Sequence, residues 1–269
     1  MTAAPMPPRA PDHRRARLLV PLLVVLLAFL SLTAFVYLPN TDCADPVCVR
    51  QRYSVFLEVD AFAQVEPIAF ELETAEGEVS LASVLSAGGV EVLTAIDQMD
   101  LPYDPAAGRL DRADLYQYSR TWRNRTPPQD ADAQLYALLA PGIVSDTGEN
   151  LFGLMFDYEG REGFAVAPQQ IVRAFAQHEA EYIPLLQLRT FIHEMLHALN
   201  RRHLDAAQMP DGRLTIEAPT KCIADVQRSA WRLLEPPLLA LSPSTIRFFQ
   251  SADRASVLPG VGHSPFELR

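Results

Sequence analysis

The sequence predicts an α+β domain behind one membrane-spanning helix, and three observations carry that prediction. Leu18–Leu38 are 21 consecutive residues without a charge. Short runs of β-forming residues recur between 53 and 168. Helical spacing then takes over, in a stretch that ends on HEMLHALNRRH at 193–203.

Residues 1–17, rich in Pro, Ala and Arg, read as a cytoplasmic tail. Residues 18–38 are long enough to cross a bilayer as a helix, with Pro21 tolerated near its start. Arg9, Arg14, Arg15 and Arg17 precede this stretch, while Asp42 and Asp45 follow it. That asymmetry predicts a single-pass protein with a cytoplasmic N-terminus and everything after residue 40 outside. A cleaved signal peptide is the alternative, but its apolar core would be shorter, and only a weak small-residue site lies near Ala34. Residues 39–52 make a stalk that carries Cys43 and Cys48, and Cys222 is the third cysteine. In an oxidising compartment two of the three can pair. Cys43–Cys48 would close a local loop, Cys48–Cys222 would tie the stalk to the C-terminal region, and both stay open.

Residues 53–269 are enough for one substantial core. YSVFLEVD at 53–60 alternates apolar and polar β-formers, so it predicts a strand, and 66–73 predicts a second. Apolar spacing predicts a helix over 81–98, with Ser80 as its cap and Gly88-Gly89 as an interruption, and another over 112–123. Asn124, just after it, heads an N-x-T triplet. Strands are expected at 134–140, 151–157 and 163–168, then helices at 169–181 and 186–199. Further helices are expected near 221–234 and 243–255, with RLTIEAP at 213–219 extended before them.

The helix at 186–199 carries the chemistry. His193 and His197 are four residues apart, so they lie about 40° apart on one helix face and one turn along. Two imidazoles so placed can reach one zinc ion, and Glu194 beside them can act as a general base on water. A continuing helix would carry His203 roughly 15 Å further and about 80° off that face. It can join the other two only if the helix stops and the chain folds back. Asn200 supplies the stop, since asparagine is the least penalised residue after glycine in the left-handed conformation. Without a third histidine, a pair of hydrogen-bonded core histidines would explain the motif as well. Other ligands fit less well: Asp205 has the poorer offset, Glu217 lies in a segment that reads as extended, and His178 and His263 have no motif around them.

The segment resembles the metzincin signature HExxHxxGxxH, with Asn200 where that family usually has glycine. Metzincins also place a methionine in a tight turn below the metal. Met209, followed by the turn-formers Pro210, Asp211 and Gly212, is the candidate here. The flanks at 135–168 and 243–251 are similar to the last strands and final helix of matrixin-type members. The resemblance implies a twisted mixed sheet, an active-site helix and C-terminal helices. It also implies Zn2+ held by His193, His197 and His203, Glu194 as general base, and hydrolysis of peptide bonds in a peptide or protein substrate. An extended peptide would pair with the strand near Gly163–Pro168, taken as the sheet edge. Matrixin latency through a pro-segment cysteine is not matched by DCADPVC at 42–48.

Charge bounds the partners. The net charge is −10, and the first 39 residues hold four arginines against Asp12, so −13 (−10 less +3) remains beyond them. Such a field argues against nucleic acid and against an anionic membrane surface. Oligomeric state and substrate are not readable. Two other classes fit the same residues: a proteolytically silent zinc-binding module, and a zinc hydrolase of a non-peptide amide.

Overall fold

The computed structural model describes residues 53–104, 108–177, 180–203, 214–218 and 236–260. All belong to the second of two compact units, Arg50–Arg269. The expected anchor at 18–38, Cys43, Cys48, Met209, Cys222, His178, His263 and the helix expected at 221–234 lie outside the described residues. Among the described residues no helix is long and apolar enough to cross a membrane.

Strand β1 (Tyr53–Ala61) lies at the heart of a five-stranded sheet. β4 (Val90–Ile96) and β5 (Ala133–Leu139) flank it, both parallel to it. β9 (Gly163–Val166) pairs parallel with β5. β8 (Gly153–Met155) closes the sheet, antiparallel to β9. Two small ribbons, β2 (Glu71–Thr74) with β3 (Gly77–Ser80) and β6 (Ile143–Val144) with β7 (Asn150–Leu151), decorate the connections. Helices α1 (Leu81–Ser86) and α2 (Arg112–Trp122) connect sheet strands. The sheet is mixed, as expected, yet three of its four pairings are parallel. Strands and helices alternate through the first half instead of segregating, because each parallel return needs a crossover.

One expectation fails here for a physical reason. The stretch 81–98 is not one helix: α1 ends at Ser86, Gly89 takes φ 81°, and VEVLTAI becomes β4. The two glycines therefore terminate the helix, and the β-branched Val90, Val92, Thr94 and Ile96 prefer the pleated backbone. β1 forms where a strand is expected, and eight of its nine residues are buried. Glu58 and Asp60 are fully buried, as befits a central parallel strand. Their carboxylates are satisfied: Glu58 accepts from the backbone N–H groups of Asn124 and Arg125 and from Gln134, and Asp60 from the Tyr136 hydroxyl and the Gln98 N–H.

Helix α3 (Pro168–Ala174) leads to α4 (Tyr182–Ala198), and α5 (Pro243–Ser251) and α6 (Arg254–Val257) close the chain. α4 starts a turn earlier than expected. Pro184 falls in its first turn, where the missing N–H has no intrahelical partner to lose. Phe191 of α4 packs edge-on against Phe164 of β9 and Phe70, which seats the helix on one face of the sheet. Neighbouring residues of a strand point to opposite faces, so Tyr136 and Gly163 face the other way, toward Tyr116 and Ser119 of α2.

Candidate metal centre

The end of α4 is built as the sequence suggests. Arg201 N–H donates to Leu196 O at 2.7 Å and Asn200 N–H to His197 O at 2.9 Å, the paired bonds of a Schellman ending. Asn200 has φ 61°, so the chain reverses there, and its side-chain amide donates to Ser256 O at 2.8 Å. Arg161 also holds this end from the β8–β9 loop. Its buried guanidinium donates to Ala198 O of α4 and to Val257 O and Leu258 O.

The reversal brings His203 back to His193 and His197. The three Nε2 atoms form a triangle with every side 3.1 Å. His193 Nδ1 lies 2.6 Å from Ile216 O and His197 Nδ1 lies 2.8 Å from Arg201 O. A carbonyl can only accept, so both rings carry their proton on Nδ1 and offer an Nε2 lone pair to the centre. Such lone pairs repel at this distance unless a cation lies between them. A point just off the plane of that triangle lies about 2 Å from all three atoms, the zinc–nitrogen distance, and three neutral imidazoles are a donor set that zinc takes. His193, His197 and His203 thus form a zinc-binding group. His193 and His197 are buried, and His203 is exposed on one side.

Burial sets the protonation. It holds His193 well below the usual imidazole range and brings His197 down to about 4, with further lowering from neighbouring imidazoles and Arg189. His203 is lowered for the same first reason. Burial pushes Glu194 up to about 8, against the opposing pull of Arg189 and the Met155 N–H.

Glu194 is 4 % exposed and is held against strand β8, accepting from the Met155 N–H. A Cβ at Gly153 would lie 2.5 Å from Glu194 Cγ and 2.7 Å from its Oε1, so glycine is what lets the carboxyl lie there. β8 bonds to β9 through Phe152, Leu154 and Phe156, which turns the backbone groups of Gly153 and Met155 outward. The sheet edge at the site is therefore β8. β9, expected to be the edge, is an interior strand, fully buried between β5 and β8.

Residues 214–218 also differ from expectation. Thr215 makes a single bridge to Leu238, and Thr215–Ala218 form a turn rather than an extended run. This turn supplies the Ile216 carbonyl. Glu217 is not a ligand: its Oε1 accepts from Ser242 N–H at 2.8 Å. Arg189, one turn before His193, reaches the same turn. The signal for it in the sequence is a charged residue within the otherwise apolar run LLQLRTFI. The Ile216 carbonyl and the Met155 N–H left no such signal, since backbone groups are the same at every residue.

No family model matches the chain, and no curated protein matches it. Among solved structures it is similar to a zinc-dependent peptidase from Methanocorpusculum labreanum, with TM-score 0.47 and 14% identity over 72% of this chain and 100% of that one. It is also similar to an archaemetzincin from Methanopyrus kandleri, with TM-score 0.41 and 13% identity over 77% and 97% of the two chains. At scores this low the assignment rests on the residues themselves.

Proposed function

We propose that the chain is a zinc-dependent endopeptidase of metzincin type, carried outside the cytoplasmic membrane by its N-terminal segment. The observation that carries this reading is the convergence of three Nε2 lone pairs beside a buried carboxylate at an outermost strand. His193, His197 and His203 would hold the ion. When bound, zinc supplies Lewis acidity, which acidifies water and polarises a carbonyl.

The remaining work falls to the chain's own groups. Glu194 takes the proton of the attacking water at its carboxylate and returns it to the leaving amine. Its burial keeps it basic enough to accept a proton near neutral pH, while a cation at the triad and the charge of Arg189 favour the ionised form that must accept it. The Met155 N–H fixes one carboxyl oxygen, so that the group does not swing away from the triad. An extended substrate is placed by adding as a strand to the outer side of β8, where the Gly153 N–H and C=O and the Met155 C=O turn outward, the Met155 N–H being taken by Glu194. Met209 as the methionine of the turn below the metal, and residues 18–38 as a retained anchor, belong to the same proposal.

Cleavage of a diverse peptide library by the detergent-solubilised full chain with zinc, beside Glu194→Ala, tests it. Cleavage by the wild type alone is expected. Equal cleavage by both would remove Glu194 from the mechanism. Zinc uptake with no peptide cleavage would favour a binding module, and turnover of non-peptide amides alone would favour the other hydrolase class. Membrane attachment is read separately: the chain should stay in the membrane fraction through an alkaline carbonate wash.

A further inference from the structure

We propose that Arg189 is a positioning residue for the metal ligand His193, acting through the turn at Thr215–Ala218; this rests on the zinc reading above. Arg189, His193 and His197 recur every four residues on α4, so they form one stripe along the helix. Two of the three point their rings at the metal centre. Arg189 is 1 % exposed and does something different: its Nε donates to Thr215 O at 2.9 Å and its Nη2 to Ala218 O. Those two carbonyls bracket Ile216, whose own carbonyl takes the His193 Nδ1 proton at 2.6 Å. One helix face thus grips the turn at three carbonyls, those of Thr215, Ile216 and Ala218, and His193 holds the one that the two Arg189 bonds bracket.

The geometry gives this arrangement a consequence at the metal. The Nδ1 bond is what selects the His193 tautomer and the plane of its ring, and so aims Nε2 at the other two nitrogens. The carbonyl that makes this bond sits on a short turn, not on a helix or strand, so the turn must itself be fixed. From the far side it is fixed by the bridge between Thr215 and Leu238, by Leu238 N–H donating to Leu214 O at 2.9 Å, and by Glu217 accepting from Ser242 N–H. From the helix side the two Arg189 donors hold it. A buried guanidinium is costly to desolvate, and an aliphatic residue would fill the same space at less cost. Its planar fork, however, can hold two carbonyls at a set spacing, which an apolar side chain cannot do. A purely structural arginine would satisfy the same carbonyls and support the fold, but its loss would leave the ligand geometry of the folded protein alone.

Zinc affinity separates the two roles. The full chain in detergent is stripped of metal, and zinc binding is measured by competition with a chromophoric chelator for wild type, Arg189→Met, Arg189→Gln and Arg189→Lys. Each protein is also loaded with cobalt(II), whose visible absorption reports ligand geometry, and its apo melting temperature is recorded. Wild type should bind one zinc. The Met and Gln variants should bind it about tenfold or more weakly, with an altered cobalt band, and Lys should recover part of the loss through its single donating head. Where Arg189→Met does not fold, Arg189→Gln decides by the same criteria. Folded variants that match wild type within about twofold in zinc affinity, with the same cobalt band, overturn the proposal whatever their melting temperatures. A wild type that takes up no zinc overturns the metal reading itself, which is a different result.

Discussion

Gly153 and Glu194 approach so closely that a Cβ on the glycine would lie 2.5 Å from the glutamate Cγ. The edge strand and the motif helix are therefore in contact where the Glu194 carboxyl lies, and a residue without a side chain makes that contact possible. Gly153→Ala should force Glu194 out of place while His193 and His197, held by Ile216 O and Arg201 O, stay where they are. The expected outcome is a fall in kcat/KM of roughly a hundredfold, from misplacement of the base. Zinc stoichiometry should be unchanged. Wild-type turnover by Gly153→Ala would mean that the carboxyl position does not matter to the reaction.

The Glu194 carboxyl makes the metal-free protein sensitive to alkali. Its folded pKa, about 8, lies above the ordinary 4.5. A raised carboxyl leaves stability intact below pH 4.5, where both states are protonated, and loses it as pH rises toward 8, because the unfolded chain ionises first. Glu194→Gln removes that dependence. Denaturant melts of the metal-free proteins should show the variant gaining on wild type across this window, by an amount on the order of a few kcal/mol at its top. Parallel stability curves from pH 4 to 9 would show that Glu194 is ionised in the fold all along.

Zinc binding should resist mild acid. Burial first, then the charge of His203, brings His197 to about 4, and His193 is lowered well below 6.5. A depressed imidazole stays neutral, and able to ligate, until pH falls toward its folded value. Affinity measured against pH should thus be nearly flat through the ordinary imidazole range and fall steeply only as pH approaches 4. A steep loss centred on 6.5 would mean that the ligands are solvated as free histidines are.

Asn200 does two jobs that substitution can separate. Its φ of 61° permits the reversal, and its side chain ties the reversal to Ser256 O. Asn200→Gly keeps the first and loses the second, so zinc affinity should hold while the melting temperature falls modestly. Asn200→Val puts a β-branched residue in the left-handed region, a strain of roughly 1–2 kcal/mol or more, and should loosen His203 and weaken zinc binding. Equal zinc affinity for the two variants would detach the backbone reversal from the metal site.

The metal centre was far more legible than the sheet around it. Ligand spacing obeys helix geometry, and Asn200 marks the break that lets His203 return, so chemistry imposes letters at fixed positions. Strand order imposes no such letters. Nothing in GFAV says that β9 is interior, because that depends on the separate short strand GLM pairing outside it. The β4 stretch failed because its apolar residues fit a helical stripe as well as a pleat, and only the left-handed Gly89 settles the choice. Glu58 and Asp60 are charged residues of a central strand, and hydrogen bonds from later parts of the chain let them be buried. The support for the ligands came from the Ile216 and Arg201 carbonyls, and a carbonyl has no letter of its own.

The most direct test of the central claim is zinc titration by calorimetry of the metal-free full chain beside His203→Ala. Three converging imidazoles predict one zinc per wild-type chain, and a variant that keeps its fold but binds zinc more weakly by at least about a hundredfold. A wild type that binds no zinc, or a variant that binds it equally well, would contradict a centre built from His193, His197 and His203.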